Sequence, residues 1–240
     1  MKQCKTIVII PTYNNPKTIQ NVVDDVLTYY HEVIVIDDGS DVKIESFLTY
    51  GNTKNVYIVR HAQNEGKGQA IISGTKKAAS LGYTHVLSMD GDGQHLASQA
   101  EKLIQHCCGD EIIIGVRNFT ISHVPLGSKF GRWFSNFWAE LDTKQKITDS
   151  LSGYRLYPIS ILDLPIKTKR FDWEMEVLVR HADSGKKIDE VNIECYYPLA
   201  EERVSHFRNF EDTMTIVWVH LQLLSQKFVH KIVRILRFWK

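Results

Sequence analysis

Residues 6–38 read TIVIIPTYNNPKTIQNVVDDVLTYYHEVIVIDD, in which two apolar β-type runs flank a helical pattern. Apolar residues from Ile19 to Tyr30 recur every three or four positions, and Asn15 and Pro16 supply a candidate cap and first helical residue. Continuous apolar strands joined by a helix are typical of a parallel sheet that is covered on both faces. This stretch therefore predicts an α/β fold.

The same alternation of strand and helix continues beyond this stretch. Further β-type runs are predicted at Val56–Val59, His85–Met89, Glu111–Val116 and Lys187–Glu194. One further helix is predicted at Phe171–Ala182. An aromatic-rich stretch at 130–141 and a short SGYRLYP segment lie between them. Because no repeat or Pro/Gly/Ser linker divides the chain, we predict one doubly wound, mostly parallel domain over residues 1–210. A helical tail is predicted over residues 211–240.

The composition excludes several classes of protein. The chain has 240 residues, 43% hydrophobic and 24% charged, which argues against disorder, and its net charge of +1 argues against nucleic-acid binding. Its four cysteines have no metal-binding spacing, so we predict reduced thiols and a cytoplasmic protein. The amino terminus lacks a signal-peptide core, and the most apolar late stretch, residues 213–224, is too short to span a bilayer.

The last fourteen residues, Lys227–Lys240, carry five basic and no acidic side chains. Phe228, Ile232, Ile235 and Trp239 fall on one face of a helix with this pattern. Such a helix suits the headgroup layer of an anionic membrane. The alternative is a terminal helix that docks on its own domain or on a second subunit in a homodimer.

Acidic residues follow two of the predicted strands, at the edge of the sheet where ligands bind. Asp37 and Asp38 come directly after the second strand; they could accept hydrogen bonds from a nucleoside, or they could form an Asx turn. The loop DGDGQH at 90–95 can turn carboxylate and amide oxygens towards Mg²⁺ or Mn²⁺. The glycine patterns of dinucleotide-binding and phosphate-loop proteins are absent.

Five motifs in this order resemble family 2 glycosyltransferases of the GT-A fold, with the polyprenyl-phosphate (dolichol-phosphate) sugar synthases as the most similar group. The motifs are PTYN at 11–14, DDGS at 37–40, NEGKG at 64–68, DGDGQH at 90–95 and DSLSGYR at 149–155. The resemblance covers roughly residues 5–210. It implies a transferase that uses a nucleotide-diphosphate sugar, with inversion at the anomeric carbon.

The resemblance also implies roles for individual residues. The donor would be bound by Pro11, Tyr13, Asp38, Lys67 and Arg203, and the metal by Asp90, Asp92 and Gln94. Arg117 and Arg132 would grip phosphate near the acceptor, because guanidinium groups match phosphate oxygens. Asp149 is the candidate general base; if the acceptor is itself a phosphate, Asp149 only orients groups.

Two positions depart from the family pattern. Many relatives have Glu where this chain has Asn15, and residues 203–208 read RVSHFR where the polyprenyl group tends to have a Gly-Ser-Lys type of loop. His206 in that loop is either a phosphate contact or base, or an ordinary surface residue.

The sequence thus predicts a metal-dependent inverting glycosyltransferase with a lipid-linked, polyprenyl-phosphate-like acceptor, peripheral on the cytoplasmic face of a membrane. Three alternatives remain open: a same-fold transferase for a glycan or small molecule, a sugar-nucleotide nucleotidyltransferase, and a degenerate nucleotide-sugar-binding module.

Overall fold

The computed structural model describes residues 4–49, 55–118 and 126–196; for residues 126–130 it describes the helical backbone alone. The seven strands are β1 (Thr6–Thr12), β2 (Val33–Asp37), β3 (Val56–Arg60), β4 (His85–Ser88), β5 (Ile112–Arg117), β6 (Arg155–Pro158) and β7 (Ile188–Ile193). The α-helices are α1 (Ile19–Tyr29), α2 (Lys67–Ser80), α3 (Ala100–His106), α4 (Leu126–Thr143) and α5 (Trp173–Asp183).

All seven strands form one sheet in the order β3-β2-β1-β4-β6-β5-β7. β6 runs antiparallel to both of its neighbours, and the other pairs are parallel, so the predicted mostly parallel sheet is confirmed. The SGYRLYP segment, for which no strand was predicted, supplies β6. Its four residues are all buried between β4 and β5, and so short a run gives little periodic signal.

Successive residues of β1 bury their side chains on opposite faces of the sheet, as strand geometry requires. Val8 and Ile10 pack in the apolar layer that includes α1 and α3, whereas Ile7 and Ile9 pack in the layer that includes α2 and α5. A fully buried side chain of this size stabilises the fold by roughly 1.5–3 kcal/mol. Helices on both faces therefore hold the strand ends rigidly.

Helix α1 begins three residues later than the sequence predicts. Pro16 lies in a turn and the helix begins at Ile19, so the assignment of Pro16 to the first helical position is wrong. Asn15 does not cap the helix either, because its Nδ2 donates to the carbonyl of Gly91, 2.8 Å away. The local sequence pattern assigned the Asn15 side chain to the helix cap, but this side chain makes a tertiary hydrogen bond instead.

Two of the four cysteines form a disulfide, so the prediction that all thiols are reduced is wrong. Cys4, just before β1, is bonded to Cys107, which ends α3, with a Cα–Cα distance of 6.4 Å. The two residues are 103 positions apart in sequence. Only the sheet topology brings them together, so spacing could not reveal the pair.

Candidate active site

The candidate site lies at the carboxyl edge of the sheet around β1. This strand pairs with β2 on one side and with β4 on the other, and the chain order reverses between β1 and β4. Ligands of doubly wound sheets bind in the crevice outside such a reversal. Pro11 lies in β1, Tyr13 and Asp38 directly follow β1 and β2, and Asp90 lies two residues beyond the end of β4.

The two carboxylates at the end of β2, Asp37 in the strand and Asp38 just after it, have different roles in the fold. Asp37 is fully buried, accepts a hydrogen bond of 2.9 Å from the backbone N–H of Ser40 and is ion-paired with Arg60. It therefore closes a turn, as the Asx alternative predicted. Asp38 accepts hydrogen bonds from the backbone N–H groups of Glu65 and Gly66, at 2.9 and 2.8 Å.

Asp38 thus connects β2 to the loop that precedes α2. Its carboxylate is also 2.6 Å from Nδ1 of His61, whose other ring nitrogen is 2.9 Å from the hydroxyl of Ser73. These contacts hold Asp38 at the mouth of the crevice. The nucleoside contacts assigned to Pro11, Tyr13 and Asp38 stay predictions.

The loop after β4 brings two carboxylates close together. Burial and the neighbouring charge of Asp90 raise the pKa of Asp92 to about 6. Burial would raise the pKa of Asp90 as well, but its basic neighbours, Lys67 first among them, together outweigh burial and lower that pKa to about 2. Oδ2 of Asp90 lies 3.9 Å from Nδ1 of His95. Lys67 contacts Oδ1 of Asp90 and the Gln94 backbone N–H donates to Oδ1 of Asp92, so the Oδ2 atoms of the two residues are the candidate metal ligands. Two such oxygens form a hard donor set that fits Mg²⁺ or Mn²⁺.

The backbone of this loop is fixed from both sides. The Gly91 carbonyl accepts hydrogen bonds from Asn15 Nδ2 and from Thr18 Oγ1, at 2.8 and 2.6 Å. The Gln94 backbone N–H donates to Oδ1 of Asp92 over 2.9 Å, while the Gln94 carbonyl accepts from the backbone of residue 196. Asn15, the position noted above as a departure from the family pattern, is therefore a loop anchor in this chain.

Lys67, the first residue of α2, points towards the loop that follows β4. Its Nζ is 2.7 Å from Asp90 Oδ1 and 2.9 Å from Glu174 Oε1. Burial alone would lower the pKa of Lys67, but the two carboxylates outweigh it and raise that pKa. Gly68 is required beside it, because a Cβ there would lie 2.3 Å from the Trp173 side chain. The GKG motif at 66–68 therefore begins helix α2 and also places the Lys67 ammonium between Asp90 and Glu174.

Arg117, Arg132 and Asp149 form a second charged cluster. The guanidinium of Arg117 donates two hydrogen bonds of 2.8 Å, one to each oxygen of Asp149, and its backbone N–H adds a third of 3.1 Å. Arg132 Nε is 3.8 Å from Oδ1 of Asp149 and donates to the Thr148 carbonyl. Asp149 is fully buried, whereas the two arginine side chains are 21% and 19% exposed.

The geometry of this cluster favours anion binding over proton abstraction. Both carboxylate oxygens of Asp149 accept hydrogen bonds from the Arg117 guanidinium, so this side chain is committed to holding an arginine in place. The guanidinium groups of Arg117 and Arg132 remain partly open to solvent, while the two carboxylates of the cluster and its surroundings, Asp149 and Glu190, lie behind them in contact with the 148–149 segment. Of the two roles predicted for Asp149, the geometry favours orienting the arginines.

Three charged residues that support the site were not predicted. Glu174 holds Lys67, and Glu190 on β7 accepts hydrogen bonds from the backbone N–H groups of residues 148 and 149. Arg155, fully buried, donates to the carbonyls of Ser150, Ser152 and Glu174. Arg155 could have been predicted from the sequence, because it ends the SGYR motif. For Glu174 and Glu190 the sequence shows only a charged residue within a helix or a strand, which does not indicate a role in the site.

Several predictions fall outside the described residues. Arg203, His206 and the tail at 211–240 belong to this group, so their roles stay predictions. In the part of the chain that the structure describes, no helix has the length and hydropathy needed to cross a bilayer.

Known proteins resemble this chain in sequence and in fold. Residues 7–162 match the model of glycosyl transferase family 2. The UDP-N-acetylglucosamine–dolichyl-phosphate N-acetylglucosaminyltransferase of Methanococcus voltae is 32% identical over 212 residues, which cover 79% of this chain and 84% of that protein. The undecaprenyl-phosphate mannosyltransferase of Micrococcus luteus is 27% identical over 205 residues, 79% of this chain and 82% of that protein.

A solved structure gives the fold comparison. Glucosyl-3-phosphoglycerate synthase of Mycobacterium tuberculosis, in complex with Mn²⁺, UDP and glucosyl-3-phosphoglycerate, superposes with a TM-score of 0.68. The match covers 91% of this chain and 79% of that chain at 16% identity. Sheet order and acidic strand ends thus define an enzyme of the GT-A glycosyltransferase class. The chain belongs to glycosyl transferase family 2, as its five motifs indicated.

Proposed function

We propose that this glycosyltransferase moves a sugar from a nucleoside-diphosphate sugar to the phosphate of a polyprenyl-phosphate-like lipid, with Mg²⁺ or Mn²⁺ as cofactor. The observation that carries this proposal is the cluster of Arg117, Arg132 and Asp149, in which a buried carboxylate holds two partly exposed guanidinium groups side by side. A phosphate acceptor is already anionic at neutral pH, so it needs a cationic cradle and no general base. The acceptors in the names of the Methanococcus and Micrococcus relatives are lipid phosphates, which supports the same assignment.

The donor end of the site is acidic. Asp90, Asp92 and Glu174 contribute three carboxylates, and Lys67 neutralises one of them. Asp90 and Asp92 would hold the divalent ion; when bound, it stabilises negative charge on the departing diphosphate. Lys67 lies where it can share that role, since its ammonium contacts a metal-binding carboxylate directly.

The reaction then follows from the two charged ends. The acceptor phosphate oxygen, oriented by Arg117 and Arg132, attacks the anomeric carbon from the face opposite the diphosphate. A new carbon–oxygen bond forms as the bond to the donor diphosphate breaks, and the nucleoside diphosphate leaves with the electron pair. Asp149 keeps both guanidinium groups oriented, and preorganised charge of this kind lowers the barrier.

The decisive experiment compares matched acceptors. The full-length protein is incubated with Mn²⁺ and a panel of radiolabelled UDP- and GDP-sugars, with either polyprenyl phosphate or the corresponding neutral polyprenol. We expect transfer to the phosphate and none to the alcohol, and loss of transfer in Asp92→Ala with the circular dichroism spectrum unchanged. Transfer to the alcohol, or full activity of Asp92→Ala, would overturn the proposal.

The tail adds a proposal about location. The basic amphipathic pattern of residues 227–240 supports peripheral binding to an anionic membrane, on the cytoplasmic face, where the enzyme would meet a lipid acceptor. Flotation with anionic liposomes of the full chain and of a chain ending at residue 226 tests this assignment. Tail-dependent flotation supports it; a tail-dependent dimer without flotation favours the second-subunit alternative.

A further inference from the structure

A cluster of sulfur and nitrogen atoms lies at the amino edge of the sheet, away from the glycosyl-transfer site. Cys4 precedes β1, His85 is the first residue of β4 and Cys107 ends α3. The two sulfur atoms and one ring nitrogen of His85 all lie within 4.8 Å of one another. Thiolates and imidazole are the ligands that soft and borderline divalent metals prefer.

We propose that Cys4, His85 and Cys107 form a binding site for a divalent metal such as Zn²⁺ when the disulfide is reduced. The bond lengths of tetrahedral zinc, 2.3 Å to sulfur and 2.0–2.1 Å to nitrogen, place neighbouring ligand atoms roughly 3.5–3.8 Å apart. The distance from His85 Nε2 to Cys107 Sγ is 3.4 Å. The nitrogen and one sulfur therefore already have nearly the required separation.

The disulfide and the metal site are alternative states of the same two sulfur atoms. The Cα atoms of Cys4 and Cys107 are 6.4 Å apart, in the upper part of the usual disulfide range of about 4.4–6.8 Å. This spacing leaves room for the sulfur atoms to separate by side-chain rotation. A dithiol reductant supplies two electrons and two protons, giving two thiols; binding of the metal then expels those two protons to form two thiolate bonds.

The surroundings of His85 suit a metal ligand. Nδ1 is 2.9 Å from the hydroxyl of Thr84, which also accepts a hydrogen bond from the Lys5 backbone N–H. With Nδ1 protonated and donating to Thr84, the lone pair would be on Nε2, the ring nitrogen that lies 3.4 Å from Cys107 Sγ. A hydrogen-bonded second ring nitrogen is the usual support for a histidine ligand.

In the disulfide state, the same ring has a different hydrogen-bonding role. Nε2 is 2.8 Å from the Gly109 carbonyl and donates to it when protonated. Metal binding therefore exchanges that hydrogen bond for a metal bond and shifts the ring proton to Nδ1. Cys4 and Cys107 are partly exposed, so solvent can reach the cluster and water can complete the coordination. The site would connect β1, β4 and α3 as the disulfide does.

Cobalt provides the test, because thiolate–Co²⁺ bonds absorb in the near ultraviolet whereas oxygen ligands such as Asp90 and Asp92 do not. The full-length protein is reduced with a dithiol, freed of reductant without air and titrated with Co²⁺. We expect thiolate charge-transfer and tetrahedral bands that saturate at about one Co²⁺ per chain and disappear on addition of Zn²⁺. The oxidised protein should give none.

Single substitutions test which side chains bind the cobalt ion. Cys4→Ser and Cys107→Ser should lose most of the charge-transfer band and His85→Asn should alter the tetrahedral bands, while Cys108→Ser, an exposed neighbour, should keep both. The proposal is overturned if the fully reduced protein gives no thiolate–cobalt band, or if the band depends on Cys108 or Cys195 instead. Circular dichroism confirms that each variant is folded. Glycosyl transfer does not enter this test, so its outcome is independent of the proposed function.

Discussion

Replacing Asp149 with Asn distinguishes a residue that orients arginines from a general base. The change removes one negative charge and preserves the size of the side chain. Asp149 is fully buried and accepts three hydrogen bonds from Arg117, so the variant leaves that guanidinium without its counter-charge. The cluster gains positive charge and loses its fixed geometry.

The structure allows the size of the effect to be worked out. Removing one partner of a buried ion pair costs roughly 3–5 kcal/mol, but Arg117 and Arg132 are 21% and 19% exposed, so water offsets part of the loss. We expect the free energy of unfolding to fall by about 2–3 kcal/mol and Tm by roughly 4–12 °C. Because the arginines remain, kcat/KM for the acceptor should fall about 10- to 100-fold, mainly through KM.

The assay is steady-state transfer to polyprenyl phosphate at saturating donor, repeated across pH, together with urea unfolding. Asp163→Asn, at an exposed residue outside the cluster, is the matched control and should behave as wild type. A general base would give a different result: kcat lower by roughly 1,000-fold or more, an unchanged acceptor KM and loss of the acidic limb of the pH profile. That combination would refute the orienting role.

Three further predictions concern the donor site and stability. Glu174→Gln leaves Lys67 with one carboxylate partner, so the donor KM should rise about 10-fold; an unchanged donor KM in initial-rate assays would contradict this. Burial lowers the pKa of His181 from 6.5 to about 4, so unfolding takes up a proton as pH falls through that window. The free energy of unfolding should then drop by up to about 1.4 kcal/mol per pH unit. Urea unfolding at a series of pH values should show that this free energy changes less with pH in His181→Gln than in wild type. Reducing the Cys4–Cys107 disulfide, which spans 103 residues, should cost up to about 4–5 kcal/mol on the loop-entropy model; thermal scans with and without dithiol test this, and equal Tm values would argue against it.

The fold was predictable where local pattern and tertiary environment agree. β1, β2 and β4 are continuous apolar runs because both faces of the sheet are covered, and each lies where the sequence predicted it. The prediction failed where a short or polar segment depends on distant partners. The start of α1 was wrong because Asn15 bonds to Gly91, and β6 was missed because its four buried residues take their pairing from β4 and β5.

In the candidate site, too, the residues within one local motif were predicted, and those that act on distant partners were not. Asp90 and Asp92 were predicted as metal ligands from sequence, since carboxylates two residues apart with flanking glycines indicate a metal loop within a single segment. Glu174 and Glu190 were not found. Each acts on a partner far along the chain, Lys67 in one case and the 148–149 backbone in the other, and no local spacing records such a contact.

The sequence by itself determined the alternation of strands and helices, the family and the residues that line the strand ends, because these depend on short-range periodicity and on motifs within one segment. The tertiary structure alone decided which charges meet. It paired Asp149 with Arg117, turned Asp37 into a structural carboxylate and joined Cys4 to Cys107 beside His85. The physical reason is that charge and covalent pairing act through space over a few ångströms, whereas separation along the chain carries no information about that distance.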